Sequence, residues 1–260
     1  MKHRNSRAAP GSTWHVAHAF AAAMVLLVIG AQSAQADLFI SPLRVIFDDA
    51  TNAAQVVLVN QSSETRTYRV TWVEKIALPN GTYENFEPPP EFVGASSLVR
   101  FSPRQVTLGP REVQQIRLSL NREADLPIGE YRSHLTFTEV GQPERRGAEA
   151  PAEGVGIELV LSLSFAIPVM VRAGDEETVV AVTGARFMYD RGERLNVELD
   201  IARDGPFSVY GDMSVFWQPN ENALEQKIGA LNNVAIYPEV LVRQARIVLT
   251  EQNLTSGVIR

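Results

Sequence analysis

Between Ile157 and Phe165 the chain reads Ile-Glu-Leu-Val-Leu-Ser-Leu-Ser-Phe, with a large apolar residue at every odd position and a polar residue at most even ones. A period of two is the mark of a strand with two unlike faces. Similar short runs, rich in Val, Ile, Leu, Phe and Thr, fill the chain from Leu38 onward, and no sustained helical period interrupts them. They predict strands over Leu38–Phe47, Gln55–Val59, Tyr68–Ile76, Leu98–Ser102, Val113–Leu120, Glu130–Glu139 and Gly156–Val171. Turn chemistry separates them at Asp48–Asn52, Gln61–Thr65, Asn80-Gly81, Leu108-Gly109-Pro110 and Leu126–Gly129. Seven strands over about 135 residues are the expectation for an immunoglobulin-like sandwich, with Trp72 on its third strand as a core residue.

After Arg172 the stretch Ala-Gly-Asp-Glu-Glu reads as a hinge, and a second, smaller β domain follows. Its strands are expected near Thr178–Phe187, Leu195–Ile201, Asp212–Trp217, Val234–Tyr237, Arg246–Leu249 and Gly257–Arg260. The chain is therefore read as all-β, with two immunoglobulin-like sandwiches over residues 37–172 and 173–260. Leu78–Gly94, with Pro88-Pro89-Pro90, reads as a long connection across one end of the first. The segment Gly141–Gly154 is polar and leads into the alternating run, which is the last strand of that domain and so an expected edge strand. An edge carrying exposed apolar side chains is an aggregation hazard or a strand to be lent to another protein.

The first 36 residues carry Lys2, Arg4 and Arg7 and no acid, then an apolar run from Ala19 to Ala31 and the triplet Ala34-Gln35-Ala36. This is the pattern of a secretory signal peptide, residues 1–36, with cleavage expected after Ala36. Loss of its three basic residues takes the formal charge from -6 to -9, which disfavours nucleic acid as a partner. The chain has no cysteine, so neither disulfides nor thiolate metal sites stabilise it. Three of its four histidines (His3, His15, His18) lie in the signal peptide. His134 alone remains, in the strand-like run Tyr131–Phe137, where it reads as a surface or half-buried strand residue. A multi-histidine metal centre is excluded, and no catalytic constellation, cofactor site or small-molecule substrate site stands out.

Several segments together resemble the periplasmic chaperones of the chaperone-usher pathway: Ser41-Pro42-Leu43-Arg44-Val45-Ile46-Phe47-Asp48, Val56–Asn60, Phe101-Ser102-Pro103, Leu108-Gly109-Pro110, Leu126-Pro127 with Glu130–Ser133, and Ile167-Pro168-Val169. The resemblance covers nearly the whole of residues 37–260, more firmly in the first domain. It implies two sandwiches set as a boomerang, which bind newly exported pilus subunits and deliver them to an outer-membrane usher. Such a subunit lacks its final strand, and the chaperone supplies one. The side chains so lent are expected to be Ile157, Leu159, Leu161 and Leu163, with Phe165 as a fifth. Burying four of them contributes on the order of 6 to 12 kcal/mol before ordering costs. Strand alternation alone leaves open whether these residues face the chaperone's own core instead.

The family also anchors the subunit's terminal carboxylate on two basic residues. Arg44 matches the first, and a guanidinium suits bidentate grip of a carboxylate. The second, a lysine near the end of the last strand, has no counterpart in Leu163-Ser164-Phe165-Ala166. Arg44 acting alone, a contribution from Arg172, and use of the Ser164 hydroxyl are the three alternatives. The charge pairs that join the two domains in the family are not matched cleanly either. Capping of the free edge by a second copy, a dimer, is a further expectation of the exposed strand. The competing reading is a secreted structural or adhesive subunit of a surface appendage; a carbohydrate-binding or adhesive module would use Tyr210 and Trp217 as exposed aromatics, but both read better as core residues.

Overall fold

The computed structural model describes residues 37–121, 126–140, 163–192, 194–254 and 256–260. The strand expected as one piece over Leu38–Phe47 is two, β1 (Leu38–Ser41) and β2 (Val45–Phe47), and they lie in different sheets. Pro42 lacks an N–H and cannot continue a ladder, so the chain leaves one sheet there and enters the other. The first sheet has the order β1, β3 (Ala53–Asn60), β9 (Val113–Leu120), β7 (Val99–Ser102). The second has the order β2, β11 (Ser164–Ala173), β10 (Gly129–Glu139), β4 (Arg66–Val73), β8 (Gln105–Leu108). Their facing sides share one core that includes Phe47, Leu58, Tyr68, Leu118, Leu135 and Phe137. Trp72 packs at its margin, edge-on to Phe101 with centroids 5.4 Å apart.

Residues 75–98 carry structure that their composition does not announce. Lys75–Ala77 (β5) and Tyr83–Asn85 (β6) pair as a hairpin, and Ala95–Leu98 forms a one-turn helix, α1. The hairpin docks on the second half of the chain: Gln244 N–H donates to Pro79 O at 2.7 Å, and Ala77 N–H to Glu239 Oε1 at 2.9 Å.

From β12 (Val179–Tyr189) onward, two further sheets form. One has the order β12, β13 (Leu195–Asp204), β16 (Val242–Val248); the other has β15 (Gln226–Ile236), β14 (Val209–Gln218), β17 (Val258–Ile259). They enclose Leu195, Val197, Val215, Ile228, Ile247 and Leu249. A third cluster joins the two sandwiches, with Met170 from β11 and Ala77 from the hairpin set among Ile201, Ile236, Tyr237 and Val240. Leu38–Arg260 is accordingly one compact unit.

The last strand of the first sandwich is an edge only along part of its length. β2 runs parallel to β11 and covers Val169–Val171. Ser164–Pro168 pair with β10 on one side and with no strand on the other among the described residues.

Candidate functional site

Alternation along β11 assigns each of its residues to a face. Ile167, Val169 and Val171 are buried in the first sandwich, and Phe165 packs against the same core. Phe165, expected as a fifth lent side chain, is half-buried and packs against the molecule's own core. Leu163 shares its register but stands 54% exposed, past the end of that core. The ladder nevertheless reaches it, since Glu139 N–H donates to Leu163 O at 3.0 Å. Ile157, Leu159 and Leu161 lie outside the described residues.

The opposite face of β11 meets the second sandwich. Met170 is fully buried there, and β2 places Ile46 beside it. Continuing that parallel register puts Arg44 opposite Pro168, whose partner on β10 is His134. Ser164 and Arg172 each lie four residues from Pro168, roughly 13 Å along the strand in opposite directions. The three anchor candidates are therefore spread along β11.

Arg44 is half-buried, and aromatic side chains of the second sandwich hold it. Its guanidinium lies 4.0 Å from the Tyr210 ring centroid and 5.6 Å from that of Tyr237. It donates to Tyr237 Oη at 3.3 Å, and Tyr83 Oη donates to the same oxygen at 3.4 Å. Burial holds the Tyr237 hydroxyl above its ordinary pKa, so it stays neutral and serves as a hydrogen-bonding group. Tyr210 and Tyr83 are both substantially exposed. Arg44 is thus fixed in orientation while keeping access to solvent.

A second guanidinium reaches the same ring from β10. Arg132 lies 3.7 Å from the Tyr237 centroid, donates to Lys75 O at 3.0 Å and pairs with Glu239. Pro168, the residue of β11 level with Arg44, supplies no charge and no N–H. Arg132 is a second cation that the fold sets against the Tyr237 ring, and no spacing in the sequence marks it.

Arg172 is committed elsewhere. Its Nε donates to Glu130 Oε2 at 3.0 Å, and its Nη2 donates to Ser208 O at 2.7 Å. Ser208 closes the ring, donating from N and from Oγ to the same carboxylate oxygen at 3.0 and 2.7 Å. The Glu130 side chain is fully buried. Together with Arg132–Glu239 this arrangement joins the two sandwiches by charge, in pairings that the sequence did not reveal. Ser164 is exposed and its hydroxyl is 3.0 Å from that of Thr138.

His134 is buried, not a surface residue, because Tyr83 from the hairpin covers it edge-on with ring centroids 5.5 Å apart. Burial, followed by the charges of Arg132 and Lys75, pushes its pKa down to about 3. A neutral, enclosed imidazole serves packing here. Among the described residues no group of three or more His, Cys, Asp or Glu side chains could hold a metal ion.

No family model matches the chain, and no curated protein sequence matches it. Among solved structures it is similar to the Class 5 fimbriae chaperone CfaA, at 15% identity over 86% of this chain and 97% of that one, with a TM-score of 0.41. It is similar to the YadV chaperone at 14% identity over 86% and 90% of the two chains, with a TM-score of 0.43. The match to a chain of the Salmonella enterica SafA pilin–SafB chaperone complex has 14% identity, coverage of 84% and 86%, and a TM-score of 0.43.

Proposed function

We propose that the protein is a non-catalytic periplasmic chaperone that binds pilus subunits by lending them a strand and passes them to an outer-membrane usher. Residues 1–36 direct export and are removed after Ala36, and the sandwiches of residues 37–172 and 173–260 form the working molecule.

One observation carries this reading: the apolar face of β11 runs on past the core that it serves. Phe165 to Val171 fill their own sandwich at every second residue, whereas Leu163, in the same register, is exposed beyond it. By sequence alternation Leu161, Leu159 and Ile157 continue that face. A strand whose inward side outlasts its own core can complete another core that lacks a strand. The edge of β11 at Ser164–Pro168, left open by β2, is where a second chain adds its backbone.

Arg44 binds the terminal carboxylate of the subunit, held ready by Tyr210 and Tyr237. Arg172 takes no part, since its charge neutralises Glu130 within the fold. The test is co-expression in a periplasm with pilin-like subunits encoded beside it. The expected result is a soluble complex of one subunit with one chaperone, and recovery unaffected by omitting the chaperone overturns the proposal.

A further inference from the structure

We infer that the outer face of the sheet formed by β1, β3, β9 and β7 is a docking surface for an acidic, extended segment of a partner protein. The inference is independent of the strand-lending function, which uses the other sheet.

The four strands read Leu-Phe-Ile-Ser, Ala-Ala-Gln-Val-Val-Leu-Val-Asn, Val-Gln-Gln-Ile-Arg-Leu-Ser-Leu and Val-Arg-Phe-Ser. None contains Asp or Glu, in a chain with 30 acidic and 24 basic residues. Their only charges are Arg100 and Arg117, both exposed. The registers place these two together. Arg117 lies between Gln55 and Ser102, and the next outward-facing row holds Ala53, Ser119 and Arg100. Arg100 and Arg117 are thus diagonal neighbours, about 7 to 8 Å apart at Cα, and like charges at that spacing repel. Among the described residues no carboxylate pairs with either, and an incoming carboxylate would offset their repulsion.

The surface is also shaped. A groove of about 410 Å³ runs across it, bounded by Ala53, Gln55, Arg100, Arg117 and Ser119 and floored by the backbone of Ala54, Phe101 and Leu118, whose side chains belong to the core on the other face. A second hollow of about 550 Å³ adjoins at Ser102 and Arg117 and is lined by Gln114 and Gln115. Guanidiniums flanking a groove whose floor is sheet backbone suit an extended chain that presents carboxylates along one side. The amides and hydroxyls around them supply neutral hydrogen bonds. A lipid surface would leave a concave floor unfilled, so a peptide is the better occupant.

The test is an amide-shift titration of the isotope-labelled protein with a synthetic peptide of alternating Asp and Leu. The expected result is saturable shifts confined to the amides around Gln55, Arg100, Arg117 and Ser119. Affinity should fall at least tenfold in Arg100→Gln/Arg117→Gln, and again on raising NaCl from 50 to 300 mM, where screening shortens the reach of exposed charges. A peptide with Asn for Asp should leave the spectrum unchanged. Shifts centred elsewhere, an unaltered affinity in the double variant, or no response to the peptide overturns the inference. So does a response of these amides to phosphatidylglycerol vesicles alone.

Discussion

The guanidinium of Arg44 stacks on the ring of Tyr210, 4.0 Å from its centroid, so a residue at the entrance to β2 is oriented by one on β14. Two aromatic faces and one hydroxyl hold a cation that no carboxylate neutralises among its described contacts. Stacking of this kind is worth about 0.5 to 2 kcal/mol, and it favours a planar cation. Arg44→Lys keeps the charge and loses the plane. It should weaken subunit binding at least tenfold while changing stability by less than about 1 kcal/mol. Titration calorimetry with a purified subunit, beside urea unfolding, checks both halves.

Arg172 and Glu130 lead to the opposite expectation. The Glu130 carboxylate is enclosed, and removal of its cation leaves a buried charge uncompensated. Arg172→Ala should cost about 3 kcal/mol. Arg186→Ala, at a half-exposed pair with Glu198 and Asp200, should cost less than about 1 kcal/mol. Comparable losses in urea unfolding would mean that Glu130 is solvated.

His134 makes stability depend on acid. Its folded pKa of about 3 lies below the ordinary 6.5, so between these values the unfolded chain binds the extra proton. Stability from this group is complete above about pH 6.5 and declines as pH falls towards 3, by roughly 1.4 kcal/mol per pH unit. His134→Gln, which cannot titrate, should flatten the pH dependence of the unfolding midpoint between pH 6.5 and 4. An unchanged slope would show that the imidazole is not enclosed as described.

Asn60 closes the turn after β3. Its amide nitrogen donates to Glu64 O, Leu108 O and Gly109 O at 2.7, 2.9 and 3.1 Å, and its oxygen accepts from Ser62 N and Oγ. It is fully buried. Asn60→Ala removes the buried donor to Leu108 O and Gly109 O, while Glu64 O keeps the Ser62 hydroxyl, and should cost about 2 to 3 kcal/mol. A loss below about 0.5 kcal/mol, measured by urea unfolding, would show that these bonds are readily replaced by water.

What the sequence made legible follows from how local each signal is. Alternation places Gln55–Val59, Val113–Leu120, Glu130–Glu139 and Leu195–Ile201 on strands because side-chain period and backbone state are coupled within a few residues. β8 was passed over because Gln-Val-Thr-Leu is short and sits between Pro103 and Gly109-Pro110, where turn chemistry dominates. The expected strand to Ile76 and turn at Asn80-Gly81 touch the first half of the hairpin, but β6 was hidden in the polar, proline-rich connection, since the hairpin's stability comes from docking on Tyr237, Glu239 and Gln244, residues more than 150 positions away. Arg44 was visible through its motif. Its neighbours Tyr83, Arg132, Tyr210 and Tyr237 were not, because they come from four separate elements. Tyr210, expected in the core, is instead exposed as a platform for Arg44, whereas Trp217 does pack at the core's margin and donates from Nε1 to Ser256 O at 2.8 Å.

The central claim is that the apolar face continuing from β11 enters another protein's core. A photo-crosslinking amino acid placed singly at each position from 157 to 163, in the presence of a pilin-like subunit, reads that face directly. The account requires crosslinks to the subunit at 157, 159, 161 and 163 and few or none at 158, 160 and 162. Crosslinking without a period of two, or confined to the even positions, would contradict it.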